Sequence, residues 1–503
     1  MRLSYLFGAA LCILSFSVNA QSGYFEDALR FSQTVPAGSA RIMALGGTQW
    51  SLGGDVSNIA GNPAGLGFFR TSEASITLGY TDWKSDTRFM GQLRNYATTD
   101  FAIPNLSVVF ASPKSEFERG SFKGGSFGIS IQRIANFNNE FGFFSDQMGE
   151  SSIIDFFLQD SDGIPESEIE SYGLTGLGYL TYLINPIIYD QGGNVISNPN
   201  TYDSFVLGFP FQDENVTQEG SASQITFSYG GNFEHKLFVG GSLGIRSISY
   251  NSFKIYQEEF VNEPLASLSL SENLFINGSG VNLSLGVIYK PIDYVNLGFN
   301  FQTPTWYSLN DEYEAKISAN YNNYYFEQED VTLGREEAVT DIFLSTYGLN
   351  SPLKIGGGAT FFVGKKGFIS ADLDWVDYST ARINSNDFDE EPDNQAIRNL
   401  YTSTVNFRLG AEARINDFRL RGGYAYFGDP YMDSNFDRTT QQLSGGVGLK
   451  LNNLSLDFTL VNQTFNSIYR SYQVLDSQNN NYGPMTEIEN SIFKGVLTLG
   501  INF

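Results

Sequence analysis

The chain predicts an all-β fold: a 14-stranded antiparallel transmembrane β-barrel with an N-terminal hatch (plug) inside its lumen. Three observations lead there. Fourteen segments between residues 73 and 503 alternate apolar with small or polar residues, the period-two pattern of half-buried strands. The links between these segments are short and long by turns, as in bacterial membrane barrels. Composition agrees, because 15% of the residues are aromatic and only 17% charged, with 43 Phe, 28 Tyr and 52 Gly. After the N-terminus no apolar run reaches the length of about eighteen residues that a membrane-spanning helix needs.

Residues 1–20 carry one positive charge, Arg2, then an apolar run over 3–18 and Val18-Asn19-Ala20 before Gln21. This is a secretory signal peptide, with cleavage expected after Ala20. The single cysteine, Cys12, lies inside the apolar run behind Leu11, which does not suit a lipid-modified cysteine. The mature chain therefore has no disulfide and must rely on burial and hydrogen bonding. The formal charge of −25 becomes −26 with Arg2 removed, which argues against nucleic acid or other polyanions as partners.

Residues 21–72 are the expected hatch. They carry Gly46-Gly47, Gly53-Gly54 and Gly61-Asn62-Pro63-Ala64-Gly65-Leu66-Gly67, and only 23–31 suits a helix. Asn before Pro favours an extended or turn backbone, proline offers no N–H, and glycine opens conformations closed to other residues, so Asn62 to Gly65 should form a rigid corner. Eight strands enclose a lumen that side chains fill, whereas sixteen enclose an aqueous channel. A barrel of fourteen would leak unless the hatch filled it.

The barrel occupies 73–503. Its first two strands alternate through Ile76, Leu78 and Tyr80 and through Leu106, Val108 and Phe110. In the third, near 124–137, Phe127, Ile129 and Ile131 face outward, and Gln132-Arg133 then puts a charge where an apolar residue is due. Either the strand kinks there, or Arg133 stands above the bilayer where no rule is broken. The remaining strands lie near 222–235, 237–251, 278–290, 294–309, 350–363, 367–380, 402–415, 417–428, 440–451, 453–466 and 489–503. In the sixth and seventh, Val281, Leu283, Leu285 and Val287, then Val295, Leu297, Phe299 and Phe301 form one face. Asn282, Ser284, Gly286, Asn296, Gly298 and Asn300 form the other, and apolar outside with polar inside is the membrane arrangement. Short links fall at 234–236, 290–293, 364–367, 416–417 and 452–453; long ones at 138–221, 252–277, 310–349, 381–401, 429–439 and 467–488, the first being the largest outer loop. The link 112–123 is long for a turn.

Alternation points Arg246, Asp372, Asp374, Arg408, Glu412, Arg414, Arg419, Arg421 and Asp457 inward. These are expected as bracing pairs, since charges avoid the lipid face. Arg246 and Arg408 are the candidates for pairing with a ligand carboxylate. No cofactor or metal is expected. Haem needs an axial His, Cys, Met or Tyr, and the only histidine, His235, falls in a turn. The acidic run 386–393 lacks the spacing of a calcium loop and reads as solvated. Gly356-Gly357-Gly358 and Gly445-Gly446 sit within strands, as bends or close-packing sites, and precede no helix that would make a phosphate loop. No nucleophile elbow is present and no enzyme is expected.

With its signal peptide, glycine-rich segment, Asn62-Pro63-Ala64, fourteen strands and terminal Phe503, the mature chain resembles the FadL family of outer-membrane transporters over its whole length. That resemblance implies a hatch holding the motif Asn62, Pro63, Ala64 and Gly65, and passive uptake of hydrophobic small molecules such as long-chain fatty acids or aromatic compounds. It also implies a lateral opening at a kinked third strand, for which Gln132 and Arg133 are the candidates. The expected partners are the hydrophobic ligand, outer-membrane lipid and lipopolysaccharide, and the barrel assembly machinery, which would read the terminal strand through Phe503. The chain is expected to be a monomer in the cell outer membrane. FadL-like barrels also serve as subunits of secretion systems. The alternative is therefore a barrel that docks protein partners in a secretion or surface complex through loops containing the apolar pieces 153–158 and 179–188.

Overall fold

The computed structural model describes residues 23–503 apart from 34, 116, 190–194 and 479; the expected signal peptide, 1–20, lies outside the described residues. Two short helices, α1 (Tyr24–Arg30) and α2 (Ala40–Ala44), and two 3-10 turns, Val56–Ile59 and Pro63–Phe68, precede the first strand. There follow β1 (Glu73–Phe89), β2 (Gln92–Pro113), β3 (Phe122–Asn136), β4 (Asn139–Phe144), α3 (Ile153–Ser161), α4 (Glu166–Ile169), α5 (Gly173–Leu180), β5 (Asn185–Tyr189) and β6 (Val195–Asp203). Then come β7 (Phe211–Phe233), β8 (Leu237–Glu259), β9 (Leu265–Ile292), β10 (Val295–Gln302), β11 (Trp306–Phe326), β12 (Val331–Val339), β13 (Phe343–Asn350), β14 (Lys354–Phe362), β15 (Gly367–Asp377) and β16 (Arg382–Ser385). The chain ends with α6 (Glu391–Leu400), β17 (Ser403–Ile415), β18 (Phe418–Phe427), β19 (Thr440–Leu451), β20 (Leu454–Arg470) and β21 (Met485–Asn502).

The wall strands pair antiparallel with their neighbours, and β1 closes on β21 from Glu73↔Asn502 to Arg88↔Glu487. The result is a closed 14-stranded transmembrane β-barrel with further strands beside it. Two wall positions are each built from two pieces, β10 with β11 and β13 with β14, broken at Thr303-Pro304-Thr305 and Ser351-Pro352-Leu353. Proline cannot donate to a ladder, so the breaks sit side by side and share their bonds. Ser351 N–H donates to Thr305 O at 3.0 Å, and Thr305 N–H donates to the Ser351 hydroxyl at 2.9 Å.

Facing decides the membrane band. On β9, Leu283 and Leu285 are 47% and 62% exposed, while Asn282 and Ser284 between and beside them are buried. Higher on the same strands the facing stays but the polarity reverses. On β8 the outward residues become Ser247, Ser249, Gln257 and Glu259, and the inward ones Ile248, Tyr250 and Tyr256. This reversal marks where the wall leaves lipid and becomes a soluble barrel around an apolar core. It also corrects the expected long connections. Residues 252–277 and 310–349 are largely strand, with turns at 260–264 and 327–330, because alternation of the opposite polarity still builds a hairpin. The acidic run 386–393 is not free either: α6 begins at Glu391, and the Thr346 N–H donates to Asp387 at 2.8 Å.

The tight links use left-handed backbone, with Glu234, His235 and Asn416 at φ of 54°, 56° and 53°. His235 is held by Asn232 across its turn, at 3.0 Å from Nδ1.

A charge at Leu285 should destabilise the barrel by about 2–4 kcal/mol, whereas the same charge at Ser249, above the band, should change stability by under about 0.5 kcal/mol. Denaturant unfolding of Leu285→Arg and Ser249→Arg in lipid vesicles measures the difference.

Candidate functional site: hatch, cavity and wall window

Residues 23–72 run down the inside of the barrel from its outer end. At the top α1 lies against α6: Phe25 N–H donates to Asp393 at 3.0 Å, Tyr401 Oη donates to Phe25 O at 3.1 Å, and Tyr24 stacks on Phe388. Burial raises the Asp393 carboxyl above its ordinary range, and backbone N–H groups of Phe25 and Tyr24 pull it back. Lower down, bonds to the wall come from nearly every side. Ala40 N–H donates to Thr498 at 2.7 Å, Gly46 N–H to Ser444 at 3.1 Å, and Gln49 and Trp50 N–H both donate to Asp372, at 2.7 and 3.0 Å.

Asn62 closes this path. It caps the turn Pro63–Phe68 by accepting from Ala64 N–H at 3.1 Å, and its amide donates to Trp50 O at 2.6 Å and to Phe299 O of the wall at 3.3 Å. The wall admits the turn only because its facing residues lack side chains. A Cβ on Gly286 would stand 1.8 Å from Asn62 Oδ1, and one on Gly240 2.4 Å from the Pro63 carbonyl carbon. Gly356, Gly358 and Gly446 lie against Trp50 and Ala44 in the same way, so these strand glycines serve close packing.

The inward charges join the two parts. Arg41 of α2 reaches Glu412 and Asp55, each at 3.4 Å, and Glu412 also receives Arg421 at 2.8 Å and Arg414 at 2.7 Å, while Arg421 holds Asp457 at 2.5 Å. Arg408 pairs with Asp374 and donates to Gly47 O at 3.1 Å; Arg246 donates to Gln224 at 2.8 Å and to Tyr307 at 2.9 Å. Arg419 bonds backbone carbonyls of its own turn. Neither Arg246 nor Arg408 lines the large cavity, so the two candidate carboxylate partners stand in the packing between hatch and wall.

That cavity, about 1740 Å³, lies above the lower hatch. The outer helices and α1 line its mouth, and Thr81, Ala135, Asn136 and Lys494 its deep end. One wall of its mouth is α3, whose N-terminus is held by Glu258: Ser152 Oγ and Ile153 N–H donate to the carboxylate at 2.6 and 2.9 Å, and Tyr256 Oη at 2.6 Å. Burial pushes Glu258, which stands above the membrane band, up to about 7, against the lowering by these donors.

At the deep end the wall ladder is interrupted. The ladder between β2 and β3 stops at Asn105↔Gln132, and β3 slips against β7 between Arg133 and Ala135. Residues 92–102 of β2 pair with β1 alone, and the β1–β2 register itself shifts at 103–104. Arg133 donates across the gap to Asp100 at 2.5 Å and along its own strand to Asn136 at 2.6 Å. Phe101 and Ile103, 74% and 59% exposed, flank it on the lipid side. Of the two residues singled out from the sequence, Gln132 is the last rung of the ladder with β2 and the slip against β7 follows Arg133; the partner Asp100 was not foreseen, and only the cross-strand register reveals it.

No family model matches the chain, and no curated protein sequence does. Solved structures match closely in shape. A FadL homologue from Pseudomonas aeruginosa aligns over 93% of this chain and 99% of its own, with a TM-score of 0.56 and 13% identity. The toluene transporter TbuX of Ralstonia pickettii gives 0.50 at 15% identity, and the toluene transporter TodX of P. putida 0.50 at 13%, each over 93% of this chain and 99% of its own. At such identities these similarities establish the fold over nearly the full length of each protein.

Two outcomes are expected. Asn62→Ala leaves a buried N–H and two carbonyls short of partners, so residues 40–68 should exchange their amides faster by an amount equal to about 1–3 kcal/mol. Glu258 holds a proton in the docked cap that it releases when the cap opens, so α3 should be docked most firmly below pH 4.5, loosen as pH rises to about 7 and change little above that. Amide exchange over 153–161, corrected for intrinsic rates, measures this, and Glu258→Gln should reduce the pH dependence to the part that Asp155 and Asp160 of α3, also raised by burial, contribute.

Proposed function

We propose that this protein is an outer-membrane channel for passive uptake of hydrophobic small molecules, which enter the cavity between the outer loops and leave sideways through the window between β2 and β3. The observation that carries this reading is the reach of one cavity from the outer helices to the gap where the wall ladder is broken. The path needs no water. The cavity is lined by such groups as Phe137, Phe141, Leu270 and Leu274, and the window opens beside Phe101 and Ile103. In this reading the hatch blocks the axial route, the corner Asn62 to Gly65 anchors it, and the kink at Gln132 and Arg133 is the lateral opening. Solved structures of the same fold include proteins described as toluene transporters, which supports a small apolar cargo. Long-chain fatty acids and aromatic compounds both fit the cavity's size.

Bridging the window tests the path. The Arg133 side chain spans the gap, so Asp100→Cys with Arg133→Cys, joined by a short cleavable bis-thiosulfonate reagent, should abolish uptake of a labelled hydrophobic compound into whole cells. Reductive cleavage of the bridge should restore it. Full uptake through the bridged protein would overturn the lateral route.

A further inference from the structure

We propose that α3 and the strap at the end of β20, residues 469–475, form one acid-latched lid beside the cavity mouth, which holds a hydrophobic ligand in acid surroundings and releases it toward neutrality. The inference rests on the uptake path proposed above and adds its regulation. The latch is a plate of four buried residues at the outer end of β7 and β8, where register sets Gln212 opposite Glu258 and Glu214 opposite Tyr256. Two segments from distant parts of the chain hang on it. Glu214 accepts from Tyr469 Oη at 2.6 Å and from the Ser471 hydroxyl, while Gln212 donates to Tyr472 Oη at 3.1 Å and to Ser151 O at 2.8 Å, beside the contacts of Glu258 with α3. Strap and helix are also joined directly. Gln159 and Leu475 exchange two hydrogen bonds, at 2.9 and 3.0 Å, and the Ser151 and Tyr472 hydroxyls lie 3.0 Å apart.

The two carboxyls are distinguished by their partners. Both are buried, and among the described residues neither has an ion pair, whereas Glu412 at the other end of the barrel meets three arginines. Hydroxyls, an amide and a backbone N–H serve them instead. Around Glu214 stand Lys254 of β8, committed to Glu272 of β9 at 3.8 Å, and the hydroxyls of Tyr96 and Tyr469, with Glu26 of α1 beyond them paired to Arg30. Arg470 of the strap donates to Met485 Sδ at 3.2 Å. Around Glu258 stand Asp155 of α3 and the hydroxyls of Tyr256 and Tyr472. An ionised carboxylate buried without a countercharge is costly, so the docked lid favours protonated carboxyls, and burial pushes each up to about 7 against its donors. The sign follows from the rise: docking is firmest below pH 4.5, weakens as pH climbs to about 7 and is flat above that. Ile153 and Phe156 of α3 and Tyr469 and Tyr472 of the strap line the cavity, so a lifted lid removes one apolar side of it.

Residues 21–503 contain no cysteine, so one placed under the strap reports its opening, and Val474, 1% exposed, is such a place. The test uses the full chain in neutral detergent. The rate at which Val474→Cys reacts with an uncharged thiol reagent, divided by that of an unstructured peptide thiol at the same pH, should rise about tenfold or more from pH 5 to pH 8. Glu214→Gln with Glu258→Gln mimics the protonated pair, so it should keep the lid docked at pH 8 and leave only the pH dependence owed to Asp155 and Asp160. Amide exchange over 469–475 in the wild type gives the same reading if Val474→Cys itself loosens the strap. Labelled dodecanol, neutral throughout this range, should bind about threefold or more tightly at pH 5 than at pH 8 by equilibrium dialysis, a difference the double variant should lose. Reactivity and exchange that do not change with pH, or that rise as much in the double variant, would overturn the lid; equal alcohol binding by the wild type at both pH values would overturn its hold on the ligand. Neither measurement involves the window. A bridged protein that still transports removes the lateral route and leaves the lid in place, and a failed lid leaves the route.

Discussion

A strand in lipid cannot leave its N–H and C=O groups unpaired, and that constraint governs the whole wall. It explains why β1 must meet β21 along sixteen residue pairs and why the two proline breaks lie side by side, where each can lend the other its bonds. It also makes the gap between β2 and β3 exceptional. The free edge of β2 there includes Pro104, which has no N–H to satisfy, and the β3 side turns inward so that Phe137 N–H donates to Gly220 O at 3.0 Å. Higher up, Tyr96 donates to Asn215 at 2.8 Å and Arg94 pairs with Asp213, so β2 is tied again above the opening. The window is bounded by ordinary pairing below and by side chains above, and a single ion pair spans it.

The second constraint is space. A wall whose inner face carries Gly240, Gly286 and Gly298 gives up side-chain packing, and recovers it only because the hatch backbone comes into contact at those places. Asn62, Trp50 and the strands therefore specify one another: shortening the wall side chains creates the groove, and the capped turn at Pro63 has the shape that fills it. The charges of Arg41, Glu412, Arg421 and Asp457 add a buried network at the same junction. Breaking one member would strand the others, so the network favours a hatch that is seated as a unit.

Much of this was legible in the sequence because alternation reports facing directly. The fourteen wall positions, the inward charges and the irregular step at Arg133 all come from counting residues by twos. The outer hairpins were hidden because Ile248, Tyr250, Leu268 and Leu270 point inward with the polarity of a soluble barrel, and a reading tuned to lipid ends the strand where that polarity reverses. The helix at Glu391 was hidden by its acidity: Asp393 serves the N–H groups at the start of α1, some 368 residues earlier in the chain, a contact no local pattern carries. Arg246 and Arg408 could be placed inside the barrel by alternation, but alternation could not tell whether they line the cavity or pack between hatch and wall. What decides it is which partners the neighbouring strands and the hatch bring, and that depends on register.

Register also sorts the interior by height. At the periplasmic end Arg41, Arg408 and Arg421 each meet an acid from the hatch or from a neighbouring strand, so the field of these cations is spent within the protein. At the level of Thr81, where the ladder between β2 and β3 is interrupted, the ion pair of Arg133 is with Asp100 of the neighbouring strand.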